Sequence, residues 1–324
     1  MSLRHIVLAA TGLCLAACSS APADKLTWRD VWNLVVVDES GLLVDAQLIR
    51  SNTGLLRGQG HLNMTVFPTR DSAVVLYHSA PPQAVTVDPV SGSLRLMQNG
   101  LEHRDDGGWT LNVREGREAL DATFHLTPAA PEIPPVTLVE GQRQWALGVP
   151  VSHGQVTGAW RAGHQGGLIQ GHGVLVRQNM DTWPGVEPRR SSLYLISADQ
   201  SIGVEMVGER SLAWLATDGE VLTSTTVTMK RQGRQLELSL EPELPVTAKI
   251  RVGVRSIVRE TWGHLLPFER WLVRIAAGWP LRSYERGRAQ VSVRGEPTTT
   301  PALLVHDQPP SPKRRRGARA NAGE

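Results

Sequence analysis

The chain has 324 residues, of which 41% are hydrophobic and 20% charged, so it is long enough to bury the core of one large or two medium domains. The formal net charge is +3, but the last sixteen residues carry +4 and Arg4 adds one more, which leaves −2 on the remaining body. Nucleic-acid binding needs a basic face on the fold. The nearly neutral body therefore argues against nucleic acid as the main partner.

The first seventeen residues have the features of a secretory signal peptide. One cation, Arg4, precedes an apolar run over 6–15 that is too short to span a bilayer. The run leads into the sequence LAAC, which closes on Cys18 and resembles the bacterial lipobox, where the cysteine takes a diacylglycerol and becomes the first residue after cleavage. The alternative is ordinary signal cleavage beside an incidental cysteine.

Lipidation of Cys18 predicts a membrane anchor. Acyl chains contribute about 0.8 kcal/mol per buried CH₂, and two or more of them hold a protein on a bilayer that it does not span. Ser19 follows where an aspartate would retain the protein at the inner membrane, so we expect a palmitate-bearing lipoprotein on the outer membrane, facing the periplasm. The other cysteine, Cys14, is lost with the signal, which leaves neither a disulfide nor a thiol ligand.

After a linker over 18–27, the chain reads as short strands separated by turns. The first strand, 28–38, is largely apolar and ends at the turn sequence DESG. Similar segments recur about every ten residues without a credible helix between them, which is typical of an all-β barrel or sandwich. Further strands are predicted over 42–49, 60–67, 73–78, 83–87, 94–97, 109–114 and 119–126.

A proline-dense stretch over 127–135 interrupts this pattern. Proline at these spacings can be neither a central strand nor a helix interior, so we predict a boundary between an N-terminal β domain, 28–135, and a C-terminal β domain, 136–306. Strands of the second domain are predicted over 192–197, 202–207, 211–217, 221–230, 236–240, 249–258 and 288–294.

Two segments of the second half do not read as strands. Apolar residues over 265–279 fall largely at helical spacing before Pro280, which predicts one inserted amphipathic helix, either a plug at a barrel end or a lid over a lipid cavity. The last segment, 307–324, is basic and proline-broken. We expect a disordered tail there, with charges that are either solvated or close to anionic lipid headgroups.

Motifs of the common enzyme classes are absent from the sequence. It has no G-x-S-x-G elbow, no H-E-x-x-H, no P-loop and no dinucleotide fingerprint, and we predict no cofactor. His153, His164 and His172 form the only close set of histidines, but their spacing matches no standard zinc pattern. Solvated loop histidines are therefore favoured over a metal site.

The stretch over 145–207 is rich in tryptophan and glycine, as in a twisted sheet that curls around a bulky apolar body. The chain has ten tryptophans against three phenylalanines and three tyrosines, and each indole offers a large apolar face with one N–H donor. These side chains either pack a core or line an apolar ligand cavity. The predicted ligand-binding tryptophans are Trp145, Trp160, Trp183 and Trp214.

Four polar side chains in the same stretch could orient a ligand or act on it. Arg177 and Asn179 are predicted ligand-binding residues, and surface pairing is the alternative for them. Asp181 and Glu205 are the candidates for a general acid, because a carboxyl group can transfer a proton to an apolar substrate.

The sequence GHGVLVR over 171–177, with WP at 183–184, resembles the second-domain motif of the lipocalin-like superfamily that includes carotenoid 1,2-hydratases (hydroxyneurosporene synthases) and fungal survival-factor proteins. The turn DESG and the sequence YERG over 284–287 are compatible with that family. The resemblance implies two consecutive lipocalin-like (calycin) β-barrel or sandwich domains that bind or transform hydrophobic molecules.

One departure from the family motif bears on function. Hydratases of the family carry DHNWG after the paired glycines, where this chain has VRQNM over 176–180. Val176 cannot act as a general acid, which favours binding over catalysis. We therefore expect a periplasm-facing lipoprotein that binds or carries a lipid or isoprenoid. The alternatives are a cofactor-free hydratase- or isomerase-type lyase on an apolar polyene, and a structural or assembly lipoprotein of the envelope.

Overall fold

The computed structural model describes residues 28–52, 58–69, 72–88, 91–115, 120–140, 143–181, 189–253, 257–260 and 281–308. Over these ranges the chain is almost entirely strand, and its one helical element there is a short 3₁₀ turn at Pro82–Ala84. Among the same residues, no helix has the length and apolar character needed to cross a membrane. The predicted all-β class is confirmed. The predicted signal peptide, Cys18, Trp183, the predicted helix over 265–279 and residues 309–324 lie outside the described residues.

The first sheet has twelve strands: β1 Trp28–Asp38, β2 Leu43–Ser51, β3 Gln59–Thr69, β4 Ser72–Ala80, β5 Val85–Val87, β6 Leu94–Leu96, β7 Asn99–His103, β8 Trp109–Glu115, β9 Leu120–Pro128, β10 Ile133–Glu140, β11 Arg143–Ala162 and β12 Gln165–Asp181. They run in the order β4-β3-β2-β1-β12-β11-β9-β8-β7-β6-β5, antiparallel throughout, with β10 paired only to β11.

This sheet curls into a nearly closed barrel. Its two ends meet where β3 lies against β5 and β6: a Cβ atom at Gly60 would come within 2.2 Å of Leu96 and 2.8 Å of Val85. Alternate side chains of every strand from β1 to β3 point into the barrel, because successive residues of a strand face opposite sides. The interior is an apolar core that includes Leu62 and Phe124.

The second sheet has ten strands: β13 Arg190–Ile196, β14 Gln200–Val207, β15 Arg210–Thr217, β16 Glu220–Ser224, β17 Thr228–Gln232, β18 Gln235–Ser239, β19 Val246–Val252, β20 Ile257–Glu260, β21 Leu281–Val293 and β22 Glu296–Gln308. Their order is β16-β15-β14-β13-β22-β21-β19-β18-β17, with β20 paired to β21. This sheet forms a half-barrel around its own apolar core, which includes Leu238 and Val291.

The change of sheet comes between Asp181 and Arg190, later than the boundary predicted after residue 135. Strand β12 belongs to the first sheet because it pairs with β1 along the whole length of β1, from Trp28↔Asp181 to Asp38↔Gly171. The prolines of the 127–135 stretch do not prevent strand β10, which takes part in the sheet as an edge strand with a register shift. As a boundary between folding units, residue 135 stays a prediction.

Strand β22 was not predicted, and its end lies inside the predicted tail. Its Pro297 and Pro301 discourage a strand interpretation, yet both lie in the half of β22 that pairs with β21 alone. A proline N atom is tolerated at such a half-paired position, because no ladder hydrogen bond is needed from it. Asp307, which was assigned to the tail, lies in this strand opposite Arg190.

The two sheets pack against each other through the outer face of the barrel wall. Residues that alternate with those of the barrel core, such as Val35 and Phe67, join Tyr194, Trp214 and Tyr284 of the second sheet in one buried cluster. The barrel wall β1-β2-β3-β12 thus has an apolar side that faces the barrel core and a second side that faces the other sheet. We call this second side the inter-sheet face.

Candidate functional site between the two sheets

A row of carboxamide side chains crosses the inter-sheet face. Asn33 of β1 lies opposite Gln47 of β2, and Gln47 lies opposite Asn63 of β3, so the three occupy one register level across adjacent strands. All three are buried. Their chain neighbours Leu34 and Leu62 point into the barrel core, because the two faces of a strand alternate.

Several of these buried amide atoms have no hydrogen-bond partner. Among the described residues, neither side-chain atom of Asn63 is hydrogen-bonded, and the Oδ1 atom of Asn33 and the Oε1 atom of Gln178 also lack a partner. Gln178, fully buried on β12, shares the inter-sheet face because it pairs with Val31. A buried polar atom without a partner costs about 1–3 kcal/mol. Such a group of orphaned atoms indicates a place that receives a ligand or water.

A carboxylate of the second sheet lies at the centre of the facing polar cluster. Glu205 is fully buried, and Arg190 donates to both of its oxygens at 3.1 and 3.4 Å. Ser192 donates to it at 2.9 Å, Gln178 at 3.4 Å, and the Tyr194 hydroxyl donates to Oε1. Glu205 therefore has its acceptor capacity filled by five donated bonds, as a buried charge requires.

The second half of the cluster joins the two sheets through an ion pair. Arg282 of β21 donates to both oxygens of Asp45 on β2, at 3.0 and 3.2 Å, and to Asp307 at 2.9 Å. The hydroxyl of Tyr284 donates to Asp45 at 2.7 Å, and Arg190 reaches Asp307 at 3.3 Å. The cluster is thus one continuous network of charged and phenolic groups.

The protonation states in this network are fixed by burial and by opposite charges. Burial acts against a charged Arg282, but the carboxylates of Asp307 and Asp45 outweigh it and raise its pKa. For Arg190, burial again acts against the charged form, but the carboxylates of Glu205 and Asp307 outweigh it and raise the pKa. Burial first, and then the charge of Glu205, raises the pKa of Tyr194 well above 10, so its hydroxyl remains a proton donor.

The predicted ligand-binding polar residues lie on the opposite face, at one end of the barrel. Arg177 pairs with Asp30 through two bonds of 3.0 and 2.9 Å, and its guanidinium lies 4.5 Å from the ring centre of Trp32. Asn179 accepts a hydrogen bond from the indole of Trp28 at 3.0 Å. Both side chains are engaged with other residues of the barrel, in line with the pairing alternative.

The predicted tryptophans do not converge on one cavity. Trp145 packs in a small cluster with Met180, and Trp160 belongs to the barrel core while also lining an open surface groove of about 530 Å³. Trp214 is buried between the sheets and donates to the carbonyl of Ser152 at 3.3 Å. Trp183 lies outside the described residues. The cluster of Trp145 also holds Val31 and Ile49 of the inter-sheet face and Val207 of the second sheet, so Trp145 and Trp214 both lie between the sheets, in separate clusters. The Nε1 atom of Trp145 has no hydrogen-bond partner.

The two candidate acids also lie apart. Asp181 pairs with Trp28 in β1, which places it on the same side of β12 as Arg177, whereas Glu205 faces Gln178 from the second sheet. Alternation along β12 separates the two faces. They therefore cannot act on one substrate group together.

Of the three histidines, two come together and one does not. The rings of His153 and His172 stack with centroids 5.4 Å apart, while His164 is exposed in a hairpin turn. Burial, with a contribution from His172, lowers the pKa of His153. Within the described part of the chain, no group of three or more potential ligands could hold a metal ion.

The sequence interpretation included Glu205 and Trp214 but missed the other residues that form this site. Asn33 interrupts an apolar run from Val31 to Val37, and Asn63 interrupts the apolar stretch of β3, which is the one signal that could have marked them. Arg282 follows a segment interpreted as helical, and Asp45 reads as an ordinary polar residue of a strand.

Comparison with known proteins supports the fold. No family model matches this chain, and no curated protein matches it in sequence. The structure resembles a protein assigned as AttH from Nitrosomonas europaea, with a TM-score of 0.57, 13% identity, and coverage of 89% of this chain and 94% of that one.

Two further solved structures share the architecture. CghA, crystallised with Sch210972, matches with a TM-score of 0.59 and 11% identity over 88% of this chain and 89% of that one. Kievitone hydratase from Nectria haematococca matches with a TM-score of 0.55 and 9% identity over 86% and 88%. At such low identity these likenesses establish the lipocalin-like fold.

Proposed function

We propose that this protein binds a largely apolar small molecule, a lipid or an isoprenoid, at the inter-sheet face. The observation that carries the proposal is the group of buried carboxamide atoms without partners on Asn33, Asn63 and Gln178. Ligand sites combine an apolar lining with a few polar groups that orient the ligand, and the apolar cluster around Trp214 and Phe67 supplies such a lining beside the amides.

The structural neighbours are compatible with this proposal. One of them is crystallised with a small organic molecule, Sch210972, and another is a hydratase. We extend from these only the chemical class: a small organic molecule that is mostly apolar.

Binding can be tested by substituting two neighbouring residues of β3 whose side chains lie on opposite faces of the strand. Asn63→Phe puts a ring on the inter-sheet face, and its neighbour Leu62→Phe changes the barrel core. With the neutral fluorophore N-phenyl-1-naphthylamine as probe, we expect Asn63→Phe to weaken binding at least tenfold and Leu62→Phe to leave it unchanged for the folded fraction. Equal losses, or a loss in Leu62→Phe alone, would place binding elsewhere. Native mass spectrometry of protein from its own host should reveal a co-purifying lipid.

A second candidate is a cofactor-free hydratase-type lyase, favoured by the hydrogen bond from Tyr194 to Glu205. Here water adds across a carbon–carbon double bond of an apolar polyene, so that one carbon gains H and the other OH. Loss of a positioned acid slows such a reaction by about 10²–10⁴-fold, and Tyr194→Phe should show that loss. The readout is a product one water heavier than the polyene. An unchanged rate in Tyr194→Phe would remove Tyr194 from this role.

We propose further that the protein is a lipoprotein anchored through Cys18 in the outer membrane, facing the periplasm. The support is the order of charge, apolar run and small residues before Cys18. Cells fed labelled palmitate should label the protein, and Cys18→Ser should abolish both the label and its membrane fractionation. Label that persists in Cys18→Ser contradicts this anchor.

A further inference from the structure

We propose that the ligand's polar end is a neutral hydroxyl group that donates its single hydrogen to the carbonyl oxygen of Asn33 or of Gln178. This inference rests on the proposed binding function and specifies the chemistry of its ligand. It follows from which groups donate and which accept in the hydrogen-bond network around Glu205.

Glu205 fixes the orientation of its immediate neighbours. An ionised carboxylate only accepts hydrogen bonds, so every group that touches it must donate. Gln178 must therefore turn its Nε2 atom toward Glu205, at 3.4 Å, and Tyr194 must point its hydroxyl hydrogen at Oε1. The alternative orientation of the Gln178 amide would place two acceptors against each other.

Tyr194 in turn fixes the orientation of the Asn33 amide. Because the single hydroxyl hydrogen of Tyr194 is used on Glu205, its oxygen is left as an acceptor for the Nδ2 atom of Asn33 at 3.4 Å. Both amides thus direct their NH₂ groups toward the second sheet. In these two amides the orphaned atoms, Oδ1 of Asn33 and Oε1 of Gln178, are both acceptors, whereas Asn63 is orphaned at both its acceptor and its donor atom.

Two acceptors on neighbouring strands can share one ligand group. Asn33 pairs with Val176 and Val31 pairs with Gln178, so Asn33 and Gln178 are diagonal neighbours on the same face of β1 and β12. Diagonal positions of this kind are about 7–8 Å apart at their backbones, within reach of long side chains. The group that fits between them is a hydrogen-bond donor.

Charged ligand groups fit the site less well than a hydroxyl. A carboxylate would set acceptors against acceptors, and the nearby guanidiniums of Arg190 and Arg282 already bind carboxylates. An ammonium group would need a buried counter-ion, whereas Glu205 is already surrounded by donors. A hydroxyl donates without adding a charge.

The test compares ligands that differ only in the donor. Displacement of N-phenyl-1-naphthylamine from the purified protein is measured for 1-dodecanol, dodecyl methyl ether, dodecanoate and dodecylammonium. We expect 1-dodecanol to bind about tenfold more tightly than the ether, which corresponds to one hydrogen bond, and more tightly than either ion.

Two tyrosine variants separate bond direction from general packing. Tyr194→Phe frees the Asn33 amide to rotate, so the alcohol-to-ether ratio should fall to about threefold, because Gln178 stays held by Glu205. Tyr284→Phe removes a similarly buried hydroxyl that bonds Asp45, and it should keep the tenfold ratio.

Equal affinity for alcohol and ether in the unaltered protein overturns the hydroxyl assignment, as does an equal fall of the ratio in both tyrosine variants. Tighter binding of either ion overturns it as well. If neither the probe nor any of the four compounds binds, the binding function itself fails, which is a distinguishable result.

Discussion

The two faces of the barrel wall β1-β2-β3-β12 are built from the same strands but differ in chemistry. The barrel face of β1 to β3 contributes Leu34, Leu62 and Met64 to an apolar core. The inter-sheet face of the same strands carries Asn33, Asn63 and the ion-paired Asp45. Stability alone favours the first arrangement, because apolar burial needs no partners and buried polar atoms do. A face that keeps buried polar atoms despite this cost is expected to have a function besides packing.

This contrast also separates the present chain from a simple barrel-type carrier. The barrel interior is occupied by protein side chains such as Phe124, whereas the orphaned amide atoms lie on the inter-sheet face. We therefore place the proposed ligand site between the sheets and not inside the barrel. The site then contains residues of both sheets, with Asn33 and Gln178 on one side and Tyr194 and Glu205 on the other.

The largest expected effect comes from breaking the ion pair that joins the faces. Arg282→Met removes the buried cation that pairs with Asp45 and leaves Asp307 with Arg190 alone, which should lower the free energy of unfolding by about 3–5 kcal/mol in urea denaturation. Arg231→Met, which breaks the more exposed pair with Glu285, should cost at most about 1 kcal/mol. Similar losses in the two variants would mean that the inter-sheet pair is no more than a surface contact.

A smaller effect distinguishes partnered from unpartnered amides. Asn99 is as buried as Asn63, but it donates to Glu115 at 3.0 Å and accepts from the backbone N–H of Arg114 at 2.7 Å. Asn99→Leu should lower the free energy of unfolding by about 1–3 kcal/mol, because it orphans those partners.

Asn63→Leu is the informative counterpart, since it removes a carboxamide without a partner. We expect its free energy of unfolding to be unchanged or raised by about 1 kcal/mol, while alcohol binding weakens. If Asn63→Leu is destabilised as much as Asn99→Leu, the functional reading of the amide row is wrong.

The last effect is the pH dependence of the inter-sheet face. Burial, with a contribution from His78, lowers the pKa of His61 from 6.5 to about 3. The folded state therefore binds fewer protons, so this stability is present above pH 6.5 and is lost as the pH falls toward 3. One such group changes the free energy of unfolding by about 1.4 kcal/mol per pH unit in that window.

Urea denaturation at pH 7.5 and 5.5 measures this slope. In His61→Gln the slope of the unfolding free energy against pH should decrease by about 1.4 kcal/mol per pH unit, the contribution of one proton. In His164→Gln, which alters an exposed histidine, the slope should not change. An undiminished slope in His61→Gln assigns the acid sensitivity to other groups.

The secondary structure was largely determined by the sequence itself. The predicted first strand, 28–38, matches β1 at both ends, and most other predicted strands agree within a few residues. Apolar runs and turn residues are local signals, so they survive without knowledge of the fold. Five strands, β7, β10, β11, β12 and β22, have no counterpart among the predicted ranges. In β10 and β22 the prolines concealed the strand, because only half-paired positions make proline acceptable there.

The candidate site was decided by the tertiary structure. Asn33 contacts Tyr194 across 161 positions of sequence, and Arg282 contacts Asp45 across 237. Pairing of β1 with β12 placed Asp181 and Glu205 on opposite faces and distributed the tryptophans over separate cores. Composition and periodicity specify which face of a strand a residue occupies, but the partner across that face depends on which distant strands pack there, and that is fixed only when the whole chain folds.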